Sequence, residues 1–242
     1  MLILAIDTSG QSGGITLAEA DKGSFRVIES AAIAGGTFSA QLIPTLAALL
    51  KKHGYGVKDL GGFAAASGPG SFTGLRVGLS AIKGLAETLH KPIATVSVLE
   101  ALASLADRDG KIAAAIDAGR KEAFLGVYQR NGNSSAEKSS PQPGTNSHHT
   151  LLKQREELLT QQDFLGTLGT ERPAVIITSD AALAELAAAS HSAVVVVTPP
   201  GSEVIARIGA AKLLADETVS VEALDANYLR RSDAEIFFKG NR

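Results

Sequence analysis

The sequence has no cysteine among its 242 residues. That absence excludes disulfides, thiolate metal sites and cysteine nucleophiles, and it fits a reducing compartment. Long apolar runs are also missing, since none approaches the roughly 20 residues that a membrane span needs. The amino-terminal stretch MLILAIDTSG has neither the basic start nor the cleavage pattern of a signal peptide. These absences predict a cytoplasmic protein that does not enter a membrane.

A marked excess of charge of either sign is missing too, because 23 Lys and Arg residues stand against 25 Asp and Glu residues. No dense run of Lys or Arg occurs along the chain. A protein that binds nucleic acid alone usually has a basic patch, since neutralising phosphates supplies most of its affinity. The charge pattern therefore disfavours direct RNA binding, although folding can gather scattered charges into a patch.

Motifs that would nominate a catalytic group are missing as well. None of the five histidines has the HxxxH or HExxH spacing of a metal site, and no GxSxG motif marks a serine nucleophile. A Ser-His-Asp triad assembled by the fold stays open. The sequence predicts no metal site and names no catalytic residue.

Two apolar strands that end in aspartate give the first indication of the fold. Leu2 to Ile6 is a continuous apolar run, typical of a strand buried on both faces, and Asp7 follows it. Ile116 and Asp117 end a later strand in the same way, and a further strand follows each aspartate at similar spacing. Because strands and helical patterns alternate along the chain, these features predict an α/β fold with internal duplication.

The stretch SGPGSFTGLRVGLSAIKG, residues 67–84, is rich in glycine and opens a helix predicted over 73–89. A strand, a glycine loop and a helix amino terminus together can bind an anion, here through Gly70 and Ser71. The stretch is not a Walker loop, because no Lys-Ser or Lys-Thr pair follows its last loop glycine. If this stretch binds a phosphate, it therefore does so through backbone amides and not through a Walker lysine.

The turn after the first strand offers further candidates for nucleotide contact. Asp7, Thr8 and Ser9 stand where a central strand meets a turn, a common ligand position in α/β proteins. The carboxylate could hold a magnesium ion through water, and the hydroxyls and amides could contact phosphate. The alternative is that Asp7 only accepts hydrogen bonds from turn amides, for which aspartate is favoured in turns.

The helix predicted over 73–89 has two stripes that could each pack against another element. One is apolar and the other consists of small residues, which let a second helix approach closely: Leu75, Leu79, Ile82, Ala86 and Leu89 form the first, and Gly74, Gly78 and Ala81 the second. Both stripes can pack within the chain, or one can face a partner. The partner alternative predicts that Gly78→Leu abolishes association and leaves the fold intact.

Four segments stand in order along the chain: ILAIDTS at 3–9, SGPGSFTGLRVGLSAIKGLA at 67–86, the strand end Asp117-Ala118 with Arg120 and Glu122, and NYLR at 227–230. Together they resemble the TsaB (YeaZ) family, paralogues of TsaD in tRNA threonylcarbamoyladenosine biosynthesis. Two positions depart from the family pattern. Phe38-Ser39-Ala40 stands where His-Ser-Glu or His-Ser-Gln is usual, and Ala226 stands where proline is usual.

The resemblance implies an α/β fold like that of actin and Hsp70, with two lobes of duplicated topology and mixed sheets flanked by helices. The expected first lobe spans 1–105 and contains interface helices at about 40–52 and 73–89. The expected second lobe spans 106–214, with a mobile loop at 131–150 that is rich in Ser, Asn, Pro and Gly. Residues 215–242 are expected to return to the first lobe.

The resemblance also implies a non-catalytic scaffold subunit that binds and activates TsaD, together with TsaE. That complex transfers a threonylcarbamoyl group to the adenosine beside the anticodon of tRNAs that read codons beginning with A. The chain would reach tRNA only through the complex and would form a homodimer when alone. It would need no cofactor of its own, and ATP or ADP would bind, if anywhere, at the interface of the complex.

The partner interface implied by the resemblance is carried by the two interface helices. Its expected residues are Leu42, Leu46, Leu49, Gly74, Leu75, Arg76, Gly78, Leu79 and Ile82. Two other functions stay open for the same fold, namely an ATP-binding kinase or ATPase, and a peptidase. The kinase would need a second phosphate loop, and Asp117 is followed by Ala-Gly-Arg rather than by glycines and hydroxyls.

Overall fold

The structure is a computed structural model that describes residues 1–131, 151–227 and 229. The loop predicted at 131–150 lies outside these residues except for Asn131, and so do Tyr228, Arg230 and the residues after it. The described part of the chain contains two five-stranded sheets, each with helices on both faces.

The first sheet consists of β1 (Leu2–Asp7), β2 (Ser12–Asp21), β3 (Ser24–Ala34), β4 (Leu60–Gly68) and β5 (Ile93–Ser97). Its spatial order is β3-β2-β1-β4-β5, in which β1, β2 and β3 are an antiparallel meander and β4 and β5 run parallel to β1. β1 is central and buried throughout, as its apolar run predicts. Leu4 and Ile6 face one core, and Ile3 and Ala5 face the other.

The second sheet repeats this topology. It consists of β6 (Gly110–Gly119), β7 (Glu122–Arg130), β8 (Leu151–Thr160), β9 (Val175–Thr178) and β10 (Ala193–Val196), in the order β10-β9-β6-β7-β8. β6, β7 and β8 are antiparallel, while β9 and β10 run parallel to β6. Asp7 and Asp117 therefore occupy equivalent positions in β1 and β6. The predicted α/β fold class, with two lobes of duplicated topology and mixed sheets flanked by helices, is confirmed.

The helices of the described residues are α1 (Phe38–Lys52), α2 (Phe72–Leu89), α3 (Val98–Ser104), α4 (Gln161–Glu171), α5 (Ala181–Ala188) and α6 (Ser202–Leu214). A short 3₁₀ helix spans Val57–Asp59. Four helices begin at a side-chain cap, in which Ser71, Ser97, Thr160 or Asp180 accepts a hydrogen bond from a backbone amide of the first turn. The helices predicted at 40–52 and 73–89 begin two residues and one residue earlier than expected.

The two halves exchange a helix. α3 follows the first sheet in sequence but packs on the second, where Leu99 and Leu102 join the core with Ile112. α6 follows the second sheet but packs on the first, where Ile205 and Ala210 join its core. We therefore define the first lobe as the first sheet with α1, α2 and α6, and the second lobe as the second sheet with α3, α4 and α5. The boundaries predicted at 105 and 214 follow the order of the sequence and differ from this packing. They assign α3 to the first lobe and α6 to the second, whereas α3 packs on the second sheet and α6 on the first.

Close packing and a charged contact hold the exchanged helices. A Cβ on Gly209 would lie 2.3 Å from the Ala64 Cβ, so α6 approaches β4 at a distance that only glycine permits. The Lys212 ammonium donates to the Thr95 carbonyl oxygen at 3.1 Å and to Glu100 Oε2, on α3, at 2.7 Å. The interface between the lobes is therefore built from α3 and α6 side by side.

The chain after α6 runs back along the first sheet. The Val219 amide donates to the Ile93 carbonyl oxygen at 2.9 Å, beside the edge strand β5. Leu224 and Ala226 are buried in the core that β1 shares with α1 and α2. Ala226 stands where the resemblance expects proline, and its amide donates to Asp225 Oδ1 at 2.7 Å, a hydrogen bond that proline could not make.

Candidate functional site

The turn after β1 uses its polar groups within the chain. Asp7 Oδ1 accepts hydrogen bonds from the Ser9 amide at 2.9 Å and from the Ser9 hydroxyl at 2.6 Å. Burial raises the pKa of the Asp7 carboxyl, although both hydrogen bonds from Ser9 act in the opposite direction. Thr8 donates its hydroxyl to the Gly74 carbonyl oxygen at 2.8 Å. This is the turn-amide arrangement that stood as the alternative to nucleotide contact.

The glycine-rich loop packs directly against that turn. A Cβ would lie 2.4 Å from the Ser9 carbonyl oxygen if placed on Gly70, and 2.1 Å from the Thr8 carbonyl oxygen if placed on Gly74. The Ser71 amide donates to the Ser9 carbonyl oxygen at 2.7 Å. The glycines therefore allow the amino end of α2 to approach the backbone of the β1 turn. Contact of this turn and loop with a nucleotide stays a prediction.

The stripe of small residues on α2 is also explained within the chain. A Cβ on Gly78 would lie 2.4 Å from Thr8 Oγ1 and 3.2 Å from Ile6 Cγ2. Any larger side chain at this position collides with the end of β1. The expectation that Gly78→Leu would leave the fold intact is therefore wrong, because the position belongs to the core of the first lobe.

The apolar residues expected at the partner interface are buried in the same core. Of the nine, only Arg76 is exposed; the buried ones are Leu42, Leu46, Leu49, Gly74, Leu75, Gly78, Leu79 and Ile82. They face the first sheet, since an apolar stripe on a surface helix packs first against its own sheet. The contact centred on Leu75 and Ile82 is therefore corrected to intramolecular packing, which was the alternative that the stripes left open.

A groove remains between the outer surfaces of α1 and α2. We call it the α1–α2 groove; its volume is about 590 Å³, and it is lined by Ser39, Leu42, Ile43, Phe72, Thr73, Arg76, Val77, Ser80 and Ala81. Ile43 is 53% exposed and Phe72 is 38% exposed. The Arg76 guanidinium lies 3.8 Å from the centroid of the Phe72 ring. The surface thus presents apolar and aromatic groups beside a cation.

Sequence reasoning missed Ile43 and Phe72 as surface residues. Ile43 stands beside Leu42 in an apolar run, and neighbouring helix positions point in different directions, so one residue is buried and the other is exposed. The helical spacing could have predicted the exposure of Ile43, because Ile43 lies outside the buried stripe of Leu42, Leu46 and Leu49. The helix predicted over 73–89 excludes Phe72, although Phe72 is the first residue of α2.

A larger cleft of about 1740 Å³ lies between the two lobes. Asp7 and Asp117 line it from equivalent strand ends, and Asp180 and Gly201 line it from the amino ends of α5 and α6. Asp117 is exposed and accepts from the Gly119 amide at 3.2 Å. The second turn is therefore open, whereas α2 covers the first. Ligands of α/β proteins commonly bind at such strand ends.

Searches for metal clusters and membrane helices cover only the part of the chain that the structure describes. Across residues 1–131, 151–227 and 229, His, Asp and Glu side chains form no cluster of three that could hold a metal ion. Among the described helices, none combines the length and the apolar character that a membrane crossing demands.

Comparison with known proteins identifies the family. The family model described as TsaD, tRNA N6-adenosine threonylcarbamoyltransferase, matches residues 31–163. The tRNA threonylcarbamoyladenosine biosynthesis protein TsaB of Bacillus subtilis strain 168 is 38% identical over 130 residues, 53% of this chain and 56% of that protein. The protein of the same name from Escherichia coli K12 is 32% identical over 136 residues, 55% of this chain and 57% of that protein. The chain thus spans about half the length of these curated relatives.

The fold is shared with a solved structure over nearly the whole chain. YeaZ from Pseudomonas aeruginosa superimposes with a TM-score of 0.67 at 24% identity, covering 93% of this chain and all of that one. The TsaD family model covers more than half of this chain, and the relatives above carry the TsaB name. The chain therefore belongs to the TsaD-like family, and within it to the TsaB (YeaZ) proteins of tRNA threonylcarbamoyladenosine biosynthesis.

Proposed function

We propose that this chain is a non-catalytic subunit that binds TsaD through the α1–α2 groove and activates threonylcarbamoyl transfer to tRNA. The exposed apolar surface of Ile43 and Phe72, beside Arg76, is the observation that supports the proposal. Aromatic and arginine side chains contribute much of the binding energy of protein interfaces. Ser80 and Ala81 add small side chains, so a partner helix can approach α2 closely.

The family relationship favours TsaD as the occupant of the groove. The TsaD model matches residues 31–163, a range that contains the whole of α1 and α2. Two paralogues that share these helices can pair through equivalent faces about an approximate twofold axis. The same geometry would let the chain form a homodimer when TsaD is absent. The proposal therefore keeps the two interface helices that the resemblance implies, and it places the contact residues in the groove instead of the buried stripe.

The remaining features of the assembly belong to the same proposal. TsaE joins the complex, and tRNA is reached only through it, consistent with the nearly balanced charge of 23 basic and 25 acidic residues. The chain needs no cofactor of its own, and ATP or ADP binds, if at all, where it meets TsaD. The complex works in the cytoplasm.

The hydrogen bonding of the β1 turn supports a non-catalytic role. A kinase or ATPase of this fold would use the carboxylate at the end of β1 to hold a metal-bound phosphate. Here Asp7 is 6% exposed, and Ser9 occupies one of its carboxylate oxygens with two hydrogen bonds. The Thr8 hydroxyl holds α2. Although Asp7 lines the cleft between the lobes, these hydrogen bonds engage its carboxylate and the Thr8 hydroxyl within the first lobe.

Reconstitution tests the proposal. The chain, its cognate TsaD and TsaE, and tRNA are combined with the threonylcarbamoyl donor, and each protein is then omitted in turn. We expect modified tRNA only when this chain and TsaD are both present. ATP hydrolysis and peptide cleavage are assayed on the chain alone, where we expect neither above the buffer rate. Turnover by the lone chain would support the kinase, ATPase or peptidase alternatives, and full modification without the chain would refute the activating role.

A further inference from the structure

The carboxy-terminal part of the chain contacts both lobes in succession. We define the strap as residues 219–227 together with Leu229. Leu224 and Ala226 are buried in the core of the first lobe, whereas Leu229 packs against the core of the second lobe that contains Tyr128. The strap therefore crosses from one lobe to the other at the position of Asn227, within the segment that resembles the NYLR motif.

Asn227 is hydrogen-bonded to one lobe by its backbone and to the other by its side chain. Its amide donates to the Ser67 carbonyl oxygen, in β4, at 2.7 Å. Its side-chain Nδ2 donates to Glu156 Oε2, in β8, at 2.7 Å. One residue thus fixes the distance between a strand of the first sheet and a strand of the second.

Glu156 is the centre of a buried polar network. Its side chain is 3% exposed, and Lys153 Nζ lies 3.8 Å from Oε2. The Tyr128 hydroxyl donates to Glu156 Oε1 at 2.5 Å. Glu156 is therefore hydrogen-bonded to Tyr128 within the second lobe and to Asn227 of the strap, whose backbone amide is bound to the first lobe.

From these contacts we infer that the strap locks the two lobes at a fixed angle, with Asn227 and Glu156 as the lock. Proteins with two lobes around a cleft open and close as rigid bodies unless the interface resists that motion. A buried carboxylate that loses a partner is costly, so separating the lobes at Asn227 is unfavourable. Asn227 and Leu229 also line the cleft between the lobes, so the lock sets the cleft width. This inference is independent of the proposed function.

Distance measurements between the lobes test the lock. The chain has no cysteine, so spin labels can be placed through Lys51→Cys on α1 and Gln162→Cys on α4, both at exposed positions. The labelled chain is diluted with unlabelled chain so that only distances within one molecule are measured. For the parent we expect one narrow distance distribution.

Three variants separate the lock from a general loss of stability. Asn227→Asp places a carboxylate against Glu156, and we expect a second distance in about a tenth of the molecules or more. The double variant Asn227→Asp with Glu156→Gln reverses the donor and the acceptor, and the new amide oxygen at position 156 can still accept from Tyr128. We therefore expect the parental distribution to return. Thr160→Ala removes the α4 cap, which lies within the second lobe, and should leave the distance unchanged.

The outcomes are decisive in both directions. A second distance in the single variant that disappears in the double variant supports the lock. If the single variant keeps the parental distribution, the lock is refuted. Should Asn227→Asp fail to fold, the double variant decides alone: the parental distribution supports the pairing of residues 156 and 227, and a broad distribution overturns it.

Discussion

The two lobes share one sheet topology but differ in their outer helices. α1 and α2 of the first lobe have 15 and 18 residues, whereas α4 and α5 of the second lobe have 11 and 8. Of the large apolar side chains that are exposed in the described residues, Ile43 and Phe72 lie on α1 and α2, and none lies on α4 or α5. The two sheets are therefore alike, whereas the outer helices differ in the large apolar side chains that they expose, and those of the first lobe form the surface proposed above to bind TsaD.

The two equivalent turns, after β1 and after β6, also differ in how far a helix covers them. In the first lobe, α2 covers the turn after β1, and Asp7 is buried. In the second lobe the turn after β6 is open, with Asp117 exposed and left-handed backbone at Gly119, Arg120 and Lys121. Contacts with the covered turn hold the amino end of α2 against the first sheet. The inner side of α2 packs through its glycines against the turn after β1, and the outer sides of α1 and α2 line the α1–α2 groove.

The largest expected effect is a loss of stability when the packing of α2 against the end of β1 is disturbed. Gly78→Ala places a Cβ 2.4 Å from Thr8 Oγ1, and we expect it to lower the free energy of unfolding by about 2 kcal/mol. Gly84→Ala is the matched control on the same helix, because nothing lies within 4 Å of its Cβ position. It should raise stability by roughly 0.5 kcal/mol, since alanine is the better helix former. Urea denaturation measures both, and equal effects of the two substitutions would contradict the packing of α2 on the turn.

A second prediction concerns how the unfolding free energy depends on pH through the buried Asp7. The pKa of Asp7 is higher in the folded chain than its ordinary value, because burial disfavours the carboxylate. Protonated Asp7 therefore contributes stability that is complete below about pH 4 and is lost as the pH rises through the folded-state pKa. Asp7→Asn cannot ionise, so its stability relative to the parent should increase from about pH 4 to about pH 7. The measurement is the unfolding free energy of both chains across that range.

Asp117→Asn serves as the control at the equivalent exposed position. At about pH 7 it should change the unfolding free energy by less than about 0.5 kcal/mol, because an exposed substitution disturbs little. A relative stability of Asp7→Asn that fell with rising pH would show that Asp7 is stabilised as the carboxylate. The turn after β1 would then resemble an anionic ligand site more than a structural turn.

Local features were predictable because local residues determine them. The apolar run of β1 and the glycine-rich start of α2 placed these elements within two residues. The exchange of α3 and α6 was not predictable, because a helical stripe does not specify which sheet it will cover. The same limit explains the interface residues: Leu75 and Leu79 suit either a partner or the first sheet, and only the packing decides between them.

The asymmetry between the lobes is tested most directly by binding to TsaD. Ile43→Glu changes a residue that is 53% exposed in the α1–α2 groove, and Val196→Glu changes one that is 55% exposed on β10 of the second lobe. Both should leave the fold intact, because neither side chain is in a core. By calorimetric titration with cognate TsaD, we predict that Ile43→Glu weakens affinity by about tenfold or more, as expected for a charge buried in an interface. Val196→Glu should bind as the parent does, and parental affinity of Ile43→Glu would contradict the assignment of the partner surface to the first lobe.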